Sequence, residues 1–294
     1  MGLCLAIADC GLEPLPRRGN GGHHGAQPAY LVLSPTGSVY PVQRVLDIDV
    51  DFFVEPTVYD PDGDDDRPDP AEHTVWSAAE ALGFLRERCG LVGRGPGFLT
   101  ETHDQLFGSW RNAIAAGILK PPFHVTHVDG HADLGLGYQG HEYLMTNLLF
   151  QARAARAYPS PSPGEQGLTQ GTWLLYAIAC RWLNDLTYVH LDNENGGAEA
   201  FSFILNTLKP GGDAIQLRAM TPEALSHWAL SGYADDCEFA HIEPEVPYEV
   251  CLWSKWQAEQ PYDFVCLTRS PQYAPLTADP LYELIAETFI DPIA

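Results

Sequence analysis

Basic residues are scarce in this chain. Only 16 of its 294 residues are Lys or Arg, against 39 Asp or Glu, so the formal net charge is −23. A surface with this excess of negative charge repels nucleic acids and anionic membranes. The composition therefore argues against nucleic acid and membrane partners, and it favours metal ions or basic peptides as ligands.

Long apolar runs and leader signals are missing as well. No stretch of about 18 apolar residues occurs, so we expect no membrane-spanning helix. The opening MGLCLAIADCG is apolar but short and lacks a basic start, which is not typical of a signal peptide. The seven Cys residues are scattered and include no C-x-x-C pair. This pattern predicts reduced thiols and a cytoplasmic protein, and it leaves the oligomeric state open, a homo-oligomer included.

Helical and strand-like patterns alternate along the chain. Apolar residues recur at helical spacing in five segments, which are 75–89, 103–118, 142–157, 222–230 and 278–288. Strand-like runs lie between them: AYLVLS with VYPVQ as a hairpin, QRVLDIDVDFFV, FHVTHVD, TWLLYAIA, LTYVHLD, AIQLRAM and DFVCLTR. This alternation predicts an α/β fold with helices on both faces of a sheet. We expect one domain over residues 1–294, with loop excursions at 11–28, 55–73 and 158–170.

One predicted strand carries a row of carboxylates. In VLDIDVDFF, a strand period of two places Asp47, Asp49 and Asp51 on one side and apolar residues on the other. Three carboxylates in such a row repel one another, and a cation would relieve the repulsion. We therefore expect the row at the C-terminal end of the strand, where open α/β sheets bind ligands. The alternative is an edge strand with one solvated acidic face.

A second cluster lies in HVDGHADL, residues 127–134. Strand alternation places His127, Asp129 and His131 on one side, and Gly130 allows the chain to bend so that Asp133 turns back towards them. Imidazole and carboxylate together suit divalent metals such as Mn, Fe, Co or Zn, and the lack of Cys argues against a structural zinc site. The alternative is a set of satisfied polar residues at a strand end. Taken with the carboxylate row, the cluster offers enough ligands for two ions roughly 3.5–4 Å apart.

These motifs resemble those of the arginase/deacetylase superfamily. The D-G-H-A-D segment at 129–133 is similar to its D-A-H-x-D motif, and D-V-D at Asp49 and Asp51 is similar to its D-x-D motif. The segment ETHDQL, in which His103 leads an amphipathic helix, resembles the segment that supplies a further His ligand. The runs DIDVDFF and CLTRSPQY look closest to the peptide arginases, which convert arginine to ornithine within a peptide.

The resemblance implies a three-layer αβα sandwich with a mostly parallel sheet and a dinuclear manganese centre. Two ligand sets follow from it: His103, Asp129, Asp133 and Asp49 for one ion, and His131, Asp129, Asp49 and Asp51 for the other. Water activated between the ions would attack the guanidinium carbon of arginine, in a peptide or another guanidino substrate, to give ornithine and urea. His141 lies ten residues past His131 and resembles the acid/base His of arginases. A helix-capping or surface role is its alternative.

The order of the motifs departs from the family pattern. In arginases the D-x-D strand follows D-x-H-x-D, whereas here it precedes it. A rival in the expected order is LTYVHLDNE, which carries Asp192 and Glu194 at D-x-E spacing. These two carboxylates would either complete the metal site or, together with Asp47, bind the substrate guanidinium as counter-charges.

Three alternative functions stay open at this point. A haloacid-dehalogenase-like phosphohydrolase would use Asp47 as nucleophile and Asp49 as acid/base, but it leaves His103, His131 and Asp133 without a role. A deacetylase or amidohydrolase on the same metal fold would use one zinc ion and a Tyr near the substrate oxygen. A binding or scaffold protein would keep the fold without turnover.

Overall fold

The structure is a computed structural model that describes residues 31–33, 39–59, 67–135, 139–191, 202–231 and 238–293. The predicted loop 11–28 and the rival carboxylates Asp192 and Glu194 lie outside these residues. None of the helices in the described part of the chain has the length and apolar character that crossing a membrane requires.

The described residues form fourteen strands and seven α-helices. The strands are β1 Leu31–Leu33, β2 Val39–Pro41, β3 Arg44–Asp49, β4 Val54–Glu55, β5 Thr74–Val75, β6 Gly95–Thr100, β7 Phe123–Val128, β8 Leu183–His190, β9 Ala214–Ile215, β10 Arg218–Ala219, β11 His241–Ile242, β12 Val246–Leu252, β13 Phe264–Thr268 and β14 Ile290–Pro292. The helices are α1 Ala78–Glu87, α2 His103–Ala115, α3 Gln139–Thr146, α4 Arg153–Arg156, α5 Trp173–Ala179, α6 Pro222–Ser231 and α7 Asp279–Phe289.

Eight of these strands form one sheet in the order β14-β6-β13-β3-β7-β8-β12-β9. Every neighbouring pair is parallel except β12 and β9, so the prediction of an α/β fold with a mostly parallel sheet is confirmed. The acidic strand β3 lies between β13 and β7. It is therefore a central strand, and the alternative of a solvated edge strand is wrong.

Helices pack on both faces of the sheet because its strands alternate their side chains between two apolar cores. Along β3, Val45 joins one core, which also contains buried residues of α2, α3 and α5. Leu46 and Ile48 join the other core, which contains buried residues of α1 and α7. The packing is consistent with a three-layer αβα sandwich.

Several predicted elements differ from the structure. TWLLYAIA was expected as a strand but forms α5, whose seven residues are all buried. A helix that is apolar on every side has no period that distinguishes it from a buried strand. The expected helix 142–157 is broken into α3, a 3-10 turn at Leu148–Phe150 and α4, and AIQLRAM is divided between β9 and β10. Strands β6, β12 and β14 were not predicted; β6 begins Gly-Pro-Gly, which is typical of a loop.

Other predicted elements are confirmed within a few residues. These are the antiparallel pairing of β1 with β2, the strands β3, β7, β8 and β13, and the helices α1, α2, α6 and α7. The predicted loop at 158–170 has neither strand nor α-helix. The described parts of the loop at 55–73 connect β4 to β5, which pair with each other.

The sheet order places the two motif strands side by side. In the parallel pair β3 and β7, Ile48 is the register partner of Val128, so both strands end at the same edge. On the other side of β3, Thr268 of β13 is the partner of Asp49. The chain also leaves β6 at this edge and begins α2 at His103. Four chain segments therefore meet at one site, and the reversed motif order along the sequence does not separate them.

Candidate metal centre

The end of β3 presents Asp49 and Asp51 in different ways. Asp49 caps a 3-10 helix at Val50–Phe53, and its Oδ1 accepts a hydrogen bond from the backbone N of Asp51 at 2.9 Å. Asp51 therefore lies on a 3-10 turn, and the predicted strand alternation ends at Asp49. The other oxygen of Asp49 accepts a short hydrogen bond from Ser270 Oγ, which follows β13. Both carboxylates are buried, with 2% of each residue exposed.

The end of β7 packs its backbone directly against these carboxylates. Gly130 N donates to Asp51 Oδ1 at 3.1 Å, and a Cβ on Gly130 would come within 3.0 Å of Thr57. Any larger residue at position 130 would therefore press on the Thr57 side chain. Asp133 has a φ of 53°, in the left-handed region, and Trp173 Nε1 donates to its Oδ2 at 2.6 Å. The structure thus places Asp133 against the cluster, as the sequence predicts.

One group of donors converges on His103, the first residue of α2. Its Nδ1 lies 2.9 Å from Asp133 Oδ2, 3.2 Å from Asp49 Oδ2 and 3.7 Å from Asp129 Oδ2. The imidazole is stacked on the Trp173 ring, with centroids 5.2 Å apart and an interplanar angle of 9°. Three carboxylates and one ring nitrogen therefore surround a common point.

A second group converges on His131. Its Nδ1 lies 2.9 Å from Asp51 Oδ2 and 3.6 Å from Asp129 Oδ1. Its Nε2 lies 2.8 Å from the backbone oxygen of Val58, which accepts only if Nε2 carries the proton. A neutral imidazole with its proton on Nε2 would have the lone pair on Nδ1, where it would be available to a metal ion beside Asp51 and Asp129. Asp129 belongs to both groups, so the six metal ligands predicted from the sequence lie together.

The charges of the cluster are poorly balanced. Burial, and then the charge of Asp51, raises the pKa of Asp49 well above its ordinary value. Burial, and then the charges of Asp51 and Asp49, does the same to the pKa of Asp129. Burial would lower the pKa of His103, but the carboxylates of Asp47 and Asp133 outweigh it and raise that pKa.

An unsatisfied oxygen atom in the cluster supports metal binding. Asp129 Oδ2 is buried and has no hydrogen-bond partner, although a buried carboxylate oxygen is costly to leave unsatisfied. Its nearest ring nitrogens belong to His127, at 3.2 Å, and to His103, at 3.7 Å. A cation among these donors would satisfy the oxygen and relieve the repulsion between the carboxylates. The residues present therefore fit divalent metal.

Asp47 and His127 contact the predicted ligands from outside the cavity lining, and both belong to further possible donor groups: Asp47 with His103 and His127, and His127 with Asp129 and Asp133. Asp47 is fully buried, and its Oδ2 lies 2.8 Å from His127 Nδ1 and 3.5 Å from His103 Nε2. Burial would raise the pKa of Asp47, but the charges and hydrogen bonds of the two imidazoles lower it to about 2. Asp47 does not line the cavity described below, so its placement favours orienting these two rings over the predicted contact with a substrate. His127 was not among the predicted ligands, although strand alternation had placed it beside Asp129.

His141 lies apart from the cluster. It is in the first turn of α3, fully buried, and its Nε2 is 3.1 Å from the backbone oxygen of Leu134. Its ring packs against Phe203, with centroids 4.4 Å apart. Gly135 lines the cavity, and a Cβ on Gly135 would lie 2.6 Å from His141 Nε2, so the ring packs closely against this glycine. The structure does not bring His141 to the cavity wall, and its acid/base role stays a prediction.

A small cavity of about 30 Å³ opens over the cluster. Its lining includes three polar side chains that were not predicted from the sequence as site residues: Gln170, Ser270 and Tyr273. The Tyr273 ring lies 4.8 Å from the His131 ring. Gln170 Nε2 donates to Gln272 Oε1 at 2.6 Å, while its own Oε1 is buried without a hydrogen-bond partner. This volume is large enough for ions and water-sized groups, and Gln170 and Tyr273 lie in the wall beside them.

Comparison of the chain with protein-family models, with curated proteins and with solved structures gives no match in any of the three. The geometry of the cluster is therefore the main support for a function.

Proposed function

We propose that the protein is a metal-dependent hydrolase with a dinuclear centre. The observation that carries the proposal is the shared position of Asp129. One possible donor group contains Asp49, His103 and Asp129, and another contains Asp51, Asp129 and His131; within each, the ligand atoms all lie within 4.8 Å of one another. Each group contains three of the four residues in one ligand set implied by the resemblance to arginases; Asp133 is instead grouped with His127 and Asp129.

Manganese is the metal we propose, because carboxylate oxygen dominates the donor set and imidazole completes it. Bound ions would supply a water of lowered pKa as nucleophile. The chain's own residues hold the donors in place: Val58 fixes the tautomer of His131, Trp173 orients Asp133, and Ser270 orients Asp49. Such supporting hydrogen bonds commonly control metal affinity as strongly as the ligands do.

The substrate group that we propose is the guanidinium of an arginine within a peptide. Hydrolysis adds water across the bond between the side-chain nitrogen and the guanidinium carbon, so the side chain leaves as the ornithine amine and the carbon leaves as urea. The net charge of −23 attracts a cationic substrate. The unpartnered Oε1 of Gln170 at the cavity wall is an acceptor suited to a guanidinium N–H.

A second candidate is an amide hydrolase on the same centre. Tyr273 at the cavity wall favours it, because a phenol beside the metal ligands can donate to a substrate carbonyl oxygen. The phosphohydrolase alternative has less support, since its nucleophile would be Asp47, which is fully buried and does not line the cavity.

The first experiment counts metal by elemental analysis after loading with manganese and gel filtration. We expect about two ions per chain in the wild type. We expect about one in His103→Ala and one in His131→Ala, because each variant removes a donor from a different group. Asp129→Ala should retain less than one ion because both groups lose a ligand. The control is His227→Ala, an exposed imidazole on α6 that should keep both ions.

The second experiment measures products with an acetylated, amidated arginine pentapeptide and its acetyl-lysine counterpart. Urea from the first, lost in Asp129→Ala, would support the ureohydrolase. Acetate from the second would favour the amide hydrolase. Wild-type protein that binds no metal and releases neither product would refute the proposal.

A further inference from the structure

A second, larger cavity lies outside the metal centre. It has a volume of about 660 Å³ and lies between the β4–β5 pair, α1 and the residue that follows β12. We call it the aromatic groove and define it by six lining residues: Glu55, Trp76, Gly83, Phe84, Glu87 and Trp253. Its size is typical of a site that accepts a side chain or a small ligand.

Three aromatic rings form one wall of the groove. Trp76 and Trp253 have ring centroids 5.0 Å apart at 64°, and Phe84 and Trp253 have centroids 6.0 Å apart at 76°. This edge-to-face packing fixes the rings against one another. Phe84 is buried, whereas the two indoles are half-buried and border the cavity. Indole faces at a cavity wall attract cations through their quadrupole.

Carboxylates stand beside this wall. Glu55 accepts a hydrogen bond from Trp76 Nε1 at 2.7 Å, which places its charge next to the indole. Neither Glu55 nor Glu87 forms an ion pair with any residue of the described ranges. The groove also contains Arg88, whose Nη1 donates to the backbone oxygen of Trp256 at 3.4 Å. It contains Glu80 as well, whose carboxylate accepts a hydrogen bond from the backbone of the N-cap residue of α1.

Gly83 keeps the groove open. It lies inside α1, where glycine is the least favourable residue after proline, yet a Cβ built on it meets nothing within 4 Å. The space next to Gly83 is therefore part of the cavity, and a larger side chain there would fill the groove without a clash against the core.

We infer that the aromatic groove binds a cationic side chain, lysine or arginine, of a peptide. Aromatic faces with adjacent unpaired carboxylates complement such a side chain in both shape and charge. The groove is also close to the metal centre along the chain. Glu55 follows Asp51 by four residues, so their Cα atoms are at most about 14 Å apart. The backbone beside the groove is therefore close to a predicted metal ligand; a link between the groove and catalysis rests on the proposed function.

Calorimetry at low salt tests the inference without turnover. The probe is the acetylated, amidated peptide Gly-Lys-Gly-Lys-Gly, which has no guanidinium, and its neutral counterpart carries Gln in place of Lys. With manganese-loaded protein, we expect the Lys peptide to bind and the Gln peptide to bind at least about tenfold more weakly. The double variant Glu55→Gln/Glu87→Gln should weaken Lys-peptide binding by about fivefold or more. Gly83→Trp should abolish it by filling the cavity.

Matched controls separate the groove from general charge and folding. Glu238→Gln/Glu245→Gln removes the same charge from two exposed residues elsewhere and should bind the Lys peptide like the wild type. Circular dichroism shows whether each variant is folded, and the charge variant provides a result even if Gly83→Trp unfolds.

The outcomes distinguish this inference from the proposed function. Equal binding of the Lys and Gln peptides, or unchanged affinity in both groove variants, would overturn the groove. Groove binding without any urea release would leave the inference standing and the ureohydrolase refuted. Urea release, together with Lys-peptide binding that the groove variants do not change, would overturn the groove inference and leave the ureohydrolase standing.

Discussion

Replacing Asp129 with Asn should stabilise the metal-free protein and remove its stabilisation by metal. Asp129 is 1% exposed, and its charge is repelled by Asp51, Asp49 and Asp133. Its pKa is raised well above the ordinary value, first by burial and then by these neighbours. At neutral pH the folded chain must therefore either keep a disfavoured charge or take up a proton that the unfolded chain does not bind. A neutral amide avoids both costs.

The size of this effect is that of a single substitution in a buried cluster. Removing one repelled, buried charge should make Asp129→Asn about 1–3 kcal/mol more stable without metal. The amide retains an oxygen for the backbone N of His131, which donates to Asp129 Oδ1 at 2.8 Å. For a chain of this length, the melting temperature should rise by roughly 2–6 °C.

Metal should reverse the order of stability. At about a hundred times its dissociation constant, one bound ion adds about 2.7 kcal/mol to the free energy of unfolding. Two ions in the wild type would add about 5 kcal/mol. Because Asp129 belongs to both donor groups, the variant should lose most of this gain. The wild type should therefore be the more stable protein with manganese and the less stable one without it.

The assay is thermal unfolding of both proteins in EDTA and in excess manganese. The control is Asp213→Asn, which replaces an exposed carboxylate with a carboxamide; its melting temperature should match that of the wild type in both buffers. The reasoning is refuted if Asp129→Asn melts below the wild type in EDTA and still gains the full shift from manganese. That pair of results would mean that Asp129 is a stabilising structural carboxylate rather than a shared metal ligand.

Three further substitutions test the residues that support the ligands. Asp47→Asn should lower the free energy of unfolding by about 2 kcal/mol at pH 7, because folding lowers the pKa of Asp47 from 3.8 to about 2. Unfolding in denaturant should show that the difference between the two proteins disappears as the pH falls from about 4 to 2. Ser270→Ala removes the hydrogen bond to Asp49 and should weaken manganese binding by about tenfold or more in calorimetry. Trp173→Phe keeps a ring against His103 but removes the N–H that satisfies a buried carboxylate oxygen, so unfolding in denaturant should show a loss of about 1–3 kcal/mol.

Each of these predictions has a contrary outcome. A constant difference between Asp47→Asn and the wild type from pH 7 to pH 2 would mean that its charge is not what stabilises the fold. Ser270→Gly suits the φ of 44° at this position better than Ala, so equal manganese affinity in Ser270→Gly and the wild type would assign the effect to backbone strain. Unchanged stability in Trp173→Phe would show that water replaces the indole donor.

The ligand residues could be predicted because their chemistry is visible in short segments. Carboxylates and imidazoles on apolar strands are costly to bury without a partner, so HVDGHADL and VLDIDVD identified a site before any fold was known. Strand alternation also placed His127 beside Asp129, yet the implied ligand sets contained no position for it. Its contact with Asp47 became visible only through the pairing of β3 with β7, because residues 80 positions apart share no local pattern.

The α5 segment shows the limit of periodicity. Its sequence is apolar at every position, and the structure buries it completely. A helix with no polar side and a strand with no polar side have the same hydrophobic pattern, so only packing against its neighbours distinguishes them. His141 shows a similar limit, because its spacing from His131 does not reveal that its ring packs against Gly135 and Phe203 and is not part of the cavity lining.

The sequence alone determined the acidic character and predicted the α/β class and the six candidate metal ligands, because these depend on residue type and local period. Tertiary structure brought D-V-D and D-G-H-A-D into one cluster despite their reversed order. It also placed Asp51 on a 3-10 turn and Asp47 outside the cavity lining. The physical reason is that parallel strands end at a common edge in an order set by sheet pairing, which no spacing along the chain records.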